Sequence, residues 1–417
     1  MPARGALKGI DYSSPLVKYR GERVSRLARI ISSGAVEADY VTSADIFYTL
    51  YLPAPLVNEE SEDVVSRRLV YSILLSSRGA ALRGRTVLDA LASTIAASVL
   101  LAELSKKLDA SSTTSRALGS PRLDEEEIEE ALSEALRQVD LVKKVRFLAE
   151  GLQPGTVSVS SFEDYGLELL KLAREADIQE ILRILEGVKH WDLRASKKYA
   201  RSKRGEKHGY VLGTDIERLA PRSLAYPDEL FYARLASGKL VLYEKGVQIS
   251  SGPVYVLVDK SGSMEGEKML WAKAVALALY VKCIRSGRDF YLRFFDSQPH
   301  PLVKVSTPAK SSDVVRAFDY IARVKSAGGT DITRALVRAF LDLEESGSEE
   351  ASVVLITDGI DRVSERPVVE LSKKTKSRLV TVMVKGSNQS LKKVSAKYMA
   401  VTRLTSSGVL KVVSLVD

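Results

Sequence analysis

Five consecutive apolar residues, Val254 to Val258, stop at Asp259, and that junction limits what the chain around it can become. A short apolar run without alternation suits a strand covered on both faces, as in a parallel sheet. Asp259, Ser261 and Ser263 follow at alternate positions, with Gly262 free to turn tightly between them, and a long apolar helical stretch comes next. In open α/β sheets, ligands sit beyond the carboxyl ends of strands, where loops lead into helices, so this loop stands where a site is expected. Hydroxyl and carboxylate oxygens without His or Cys suit Mg²⁺, Mn²⁺ or Ca²⁺ and disfavour zinc.

Around that loop the pattern alternates. Strands are predicted at Val254 to Val258, Phe290 to Phe295, Pro301 to Val305 (a hairpin strand), Val353 to Ile356, Leu379 to Val384 and Tyr398 to Leu404. Helices are predicted at Lys268 to Ile284, Asp313 to Val324, Asp331 to Leu343 and Pro367 to Lys374, while Val409 to Val416 fits either state. Alternation of this kind predicts a doubly wound, mainly parallel, Rossmann-like sheet over residues 253–417.

Residues 1–190 read differently, as an all-helical domain. Asp45 to Leu52 and Asp63 to Leu75 are short helices, and Leu88, Leu91, Ile95, Val99 and Leu104 recur at helical spacing. Ser120 and Pro121 offer a cap and first-turn proline to a helix whose acidic start suits the helix dipole. Ile178, Ile181, Leu182 and Leu185 form another stripe, with Gly187 as its stop. Residues 191–252 are expected to connect the two halves. Lys197 to His208 is basic, nearly without apolar residues, and reads as a mobile loop that trypsin would cut to release two folded pieces. Thr214 with Glu217 fits a capping box, Pro227 to Leu235 a helix, and Leu240 to Tyr243 a strand.

Composition narrows the class. A chain of 417 residues, 45% hydrophobic, suffices for two or three domains. Its one cysteine, Cys283, excludes an intrachain disulfide. Ala90 to Ala102, the longest chargeless stretch, falls short of the roughly 20 apolar residues of a membrane span, and the N-terminal residues lack a secretory apolar region. The expectation is a cytoplasmic protein without membrane insertion. The net charge of +9 concentrates in Arg194, Lys197, Lys198, Arg201, Lys203, Arg204 and Lys207.

Two further loops accompany the first: GGTD, with Thr330, and LITDG, with Asp358. A tight turn capped by hydroxyls would account for one such loop and not for three. Together DKSGS, GGTD and TDG resemble the metal-ion-dependent adhesion site (MIDAS) of von Willebrand factor A domains. The resemblance implies that Ser261, Ser263 and Thr330 bind a divalent metal through hydroxyls, and that Asp259 and Asp358 bind it directly or through water. Mg²⁺ or Mn²⁺ is the implied ion, with an acidic group of a partner completing its shell.

The stretch from about Gly209 through GPVYVLVDKSGSMEGEKMLWAKAVALALYVKCIRSGRDFYLRFFDS is similar to the ViaA and CoxE-like group. Members of that group join a helical N-terminal region to a von Willebrand A domain and work with MoxR-type AAA+ ATPases on client proteins. The implied function is therefore an adaptor or co-chaperone and not an enzyme. Consistent with that, His190, His208 and His300 are scattered, no nucleophile is paired with a base, and there is no Walker-type loop. The alternative is a Ro-like RNA-binding protein, in which Lys197 to Lys207 would neutralise phosphates beside Trp191 and Tyr199.

Overall fold

The computed structural model describes residues 5–36, 38–61, 63–114, 125–151, 162, 164–186, 199–248, 252–359 and 361–416, with no side chains described at 108–114, 199–208 and 245–248. Its first half is helical: α1 (Pro15–Ile31), α2 (Tyr40–Tyr51), α3 (Val64–Leu75), α4 (Ser77–Thr86), α5 (Ala90–Thr114), α6 (Glu125–Ala149), α7 (Gly166–Arg174) and α8 (Ala176–Glu186). Aspartates start two of these helices, Asp39 accepting from the Thr42 amide at 2.8 Å and Asp63 from the Ser66 amide at 3.0 Å. The predicted cap at Ser120 and Pro121 and the stop at Gly187 lie outside the described residues.

A two-stranded antiparallel ribbon follows, made of β1 (Tyr199–Gly213) and β2 (Leu240–Gln248), with α9 (Pro221–Leu224) and α10 (Asp228–Ala236) between its strands. The expected loop is thus corrected from Tyr199 onward. The segment has little to bury, but its backbone groups find partners on β2, and pairing alone makes it a strand. Residues 202–205 bulge out where Arg201 and Glu206 both face Gly246. The expected Thr214 cap is also corrected: Asp215 accepts from the Glu217 amide at 3.2 Å and opens only a single 3₁₀ turn.

The remainder alternates as predicted, with one short helix that was not: β3 (Val254–Asp259), α11 (Glu267–Ser286), β4 (Phe290–Phe295), β5 (Val303–Val305), α12 (Ser311–Arg323), α13 (Ile332–Glu345), β6 (Ser352–Thr357), α14 (Glu365–Lys374), β7 (Arg378–Val384), α15 (Gln389–Val394, the added helix), β8 (Lys397–Val401) and α16 (Ser406–Leu415). The sheet order is β5-β4-β3-β6-β7-β8, parallel except for β5. Successive side chains of β3 divide between its faces. Val254, Val256 and Val258 join one core with α11, α12 and α16, whereas Tyr255 and Leu257 join another with α13 and α14. The ambiguous C-terminal segment is helix α16, since Val409, Val412 and Val413 turn one face inward. The fold is a helical region followed by a doubly wound, mainly parallel α/β domain.

The two halves share a core. Residues of α5, α6, α7 and α8 belong to the same buried cluster as those of α11, α12 and α16. Tyr280 on α11 donates its hydroxyl to the Ala149 carbonyl at 2.7 Å, and Ser406 donates to the Ile184 carbonyl at 2.7 Å. Lys273, wholly buried, pairs with Asp177 at 2.5 Å.

Candidate metal centre

Because β3 leads into β4 on one side while β6 lies on its other side, the chain reverses direction across the sheet between β3 and β6. Asp259 ends β3 and Asp358 follows β6, so the two carboxylates flank the crevice where a doubly wound sheet places its ligand. Both are withdrawn from water, Asp259 at 0% and Asp358 at 3% exposure.

The first loop is locked by its own carboxylate. Asp259 accepts from the Ser261 amide at 2.9 Å through Oδ1 and from the Thr357 hydroxyl at 2.5 Å through Oδ2. Burial pushes the Asp259 carboxyl above its usual range; the bonds from Thr357 and Ser261 oppose the rise, and the neighbouring Asp358 charge adds to it. Ser261 is buried and Ser263 exposed, with their Oγ atoms 3.1 Å apart. The GGTD loop is stitched alongside, the Gly262 amide donating to the Gly328 carbonyl at 3.1 Å and the Ala327 amide to the Lys260 carbonyl at 2.7 Å. Thr330, half-buried in that loop, makes no hydrogen bond through its hydroxyl to the other four predicted side chains among the described residues. Asp331, the next residue, caps α13 at the Arg334 amide.

Charge in the crevice is out of balance. Among the described residues, the two buried carboxylates are met by the ammonium of Lys268 in the first turn of α11, which lies 3.0 Å from Asp358 Oδ2 and 2.9 Å from the Ser263 carbonyl. The other oxygen, Asp358 Oδ1, is buried with no hydrogen-bond partner. An orphaned carboxylate oxygen is costly unless a cation or water meets it. Two carboxylates, nearby hydroxyls and that orphan fit a hard divalent ion. Among the described residues no group of three or more His, Cys, Asp or Glu converges to hold a metal, so a site here depends on its hydroxyls.

Several contributors escaped the sequence reading. Thr357 orients Asp259, and its position directly before Asp358 in LITDG was the available signal. Asp296, after β4, supports the GGTD loop: its carbonyl takes the Asp331 amide, and its Oδ2 lies 2.9 Å from both Lys260 Nζ and His300 Nε2. Burial alone would raise the Asp296 carboxyl, but His300, the Gln298 amide and Lys260 outweigh it and hold the group at about 2. The backbone at Gly328 (φ +90°) favours glycine, because a side chain would be strained in that conformation and its Cβ would also sit 3.1 Å from Asp296 Oδ2. Nothing in the spacing of the chain announced Asp296 or Lys268.

Comparison with known proteins places a von Willebrand factor type A domain at residues 252–399. Two uncharacterized proteins of Methanocaldococcus jannaschii are similar. One is 27% identical over 301 residues, covering 69% of this chain and 66% of that protein, and the other 26% identical over 307 residues, covering 67% and 76%. Matches of that length run upstream of the domain into the helical half. The regulatory protein ViaA of Edwardsiella ictaluri is 32% identical over 120 residues, covering 29% of this chain and 24% of that protein. Among solved structures, a von Willebrand factor type A protein from Catenulispora acidiphila covers 41% of this chain and 43% of its own, with TM-score 0.34 and 16% identity. Proximal thread matrix protein 1 of the mussel byssus, with a zinc-occupied MIDAS motif, covers 39% and 45%, with TM-score 0.31 and 18% identity. No helix among the described residues is long and apolar enough to cross a membrane.

Proposed function

We propose, for a chain whose residues 252–399 form a von Willebrand factor type A domain, that the crevice binds Mg²⁺ or Mn²⁺ and uses it to grip an acidic group of another protein. The carrying observation is Asp358 Oδ1, buried without a partner beside Asp259. Asp259, Ser261, Ser263, Thr330 and Asp358 are the proposed ligands, directly or through water. The ion would supply a fixed positive charge with open positions for a carboxylate. Thr357 and the Ser261 amide would hold Asp259 in place, and the tied loops would keep the hydroxyls at the rim.

The biological role proposed is that of an adaptor or co-chaperone of a MoxR-type AAA+ ATPase acting on client proteins, with binding and not catalysis as its task. The resemblance to the ViaA and CoxE-like group and the similarity to ViaA support this reading. Calorimetry with Mg²⁺ and Mn²⁺ tests the metal. Wild-type protein is expected to bind, and Asp259→Ala to lose binding while its circular dichroism is unchanged; equal binding by the two would reject the site. Size exclusion with a co-occurring MoxR-type ATPase tests the partner. Association should weaken in Ser263→Ala and in chelator. Association indifferent to both would remove the metal from the interaction.

One observation favours a second reading. Arg201, Lys203, Arg204 and Lys207 of the basic run belong to β1, and Tyr210 on the same strand is 68% exposed, whereas Trp191, Arg194, Lys197 and Lys198 lie outside the described residues. A nucleic acid would find there both phosphate partners and a stacking surface. Anisotropy with single-stranded RNA should then show salt-sensitive binding that Tyr210→Ala weakens. Binding unaffected by salt or by that substitution would set this reading aside.

A further inference from the structure

The ammonium of Lys268 stands where the proposed ion would act. It is one-quarter exposed, lies 3.0 Å from Asp358 Oδ2, and also donates to the Ser263 carbonyl, on a residue counted among the ligands. One carboxylate oxygen is thus occupied by a cation the chain carries itself, while the other waits unpartnered in the same crevice.

From this geometry we infer that Lys268 is a tethered counter-ion that competes with the divalent ion for Asp358, so that the site holds metal loosely and exchanges it readily. The inference rests on the proposed metal site and adds how tightly that site is set. Without metal, Lys268 offsets one of two buried negative charges; an arriving divalent ion must displace the ammonium or accept a like charge beside it. Either course weakens binding. The opposite role would make Lys268 a support, with its contacts to Asp358 and the Ser263 carbonyl holding ligands ready for the ion. The two roles predict effects of opposite sign when the charge is removed.

Calorimetric titration with Mn²⁺ and with Mg²⁺ separates them, using full-length wild type, Lys268→Met, Lys268→Arg and Asp259→Ala as the control without a site. Lys268→Met should bind metal more tightly by about tenfold, since a cation a few ångströms away is removed, and Lys268→Arg should stay near wild type. A second readout needs no titration: Lys268→Met should melt below wild type without metal and gain more than wild type on saturation with Mn²⁺. Should Lys268→Met fail to fold, Lys268→Gln serves in its place. Unchanged or weaker binding in the uncharged variant, with wild type still binding, would overturn the competitor role and leave the metal site standing. Absence of binding in both would overturn the site and this inference together.

Discussion

Thr357 shows how much of the crevice depends on one hydroxyl outside the recognised pattern. It donates to Asp259 and at the same time accepts the Gly359 amide at 3.0 Å, so it joins the ends of β3 and β6. Thr357→Val keeps the shape and removes both bonds. It should lower metal affinity about tenfold and cost about 1–3 kcal/mol of stability, because a buried carboxylate loses a donor. Titration and urea unfolding would check the two effects separately, and unchanged metal affinity would show that Asp259 needs no such brace. The five proposed ligand positions could be named from the sequence because each ends a strand or stands in a short loop beyond a strand or before a helix. Thr357, Asp296 and Lys268 could not, since what they do depends on which loops meet, and that is fixed by the order of strands across the sheet.

Among the elements, α2 carries a buried charge with a pH signature. Asp45 accepts from the Ala6 amide at 2.9 Å and from the Tyr12 hydroxyl, tying the first residues to the helix. Burial pushes it up to about 6 despite those two bonds, with the charges of Asp63 and Asp39 adding to the rise. Its value in the folded chain lies above the roughly 3.9 of an unfolded aspartate, so the folded state binds the proton more tightly. The stabilisation from this group is complete below about pH 4 and is lost as pH rises through 6, a term of about 2–3 kcal/mol. Asp45→Asn should flatten the stability profile between pH 4 and 7 in urea unfolding; an unaltered slope would assign it to other groups. The ribbon teaches a different lesson. Its apolar content misread β1 as a loop, because a strand paired in a two-stranded ribbon needs no buried face, whereas β3, β6 and β7 announced themselves through burial on both sides.

For the molecule as a whole, the expectation of two separable pieces gives way to a shared core. Cleavage between the halves should leave fragments that co-elute on size exclusion, since Tyr280, Lys273 and Ser406 all reach partners in the helical half. Separate elution would contradict the docking. The Lys273 pair sharpens the point: burial lowers the lysine pKa, opposed by the bond that the ammonium donates to Asp177, and Asp177 itself is 41% exposed. Asp177→Ala leaves a buried ammonium with the Ala322 carbonyl and should cost about 1–2 kcal/mol after solvent screening, while Lys273→Met should be nearly neutral. Chemical denaturation of both variants would decide it, and an equal cost would place the worth of the contact in its packing. The alternation of strands and helices made the sheet domain readable from sequence; the docking was not, because the residues that make it look like ordinary core positions on either side.

Helix α11 has a mechanical consequence. From Trp271 to Ile284 every residue is buried, so over most of its length, about 30 Å for 20 residues, the helix is walled by the sheet on one side and by its neighbours on the other. A rod confined in this way has no slack to absorb a push. Its first turn holds Lys268 and its middle holds Lys273 and Tyr280, so any displacement at the crevice must either be refused or be passed along the rod to the helical half.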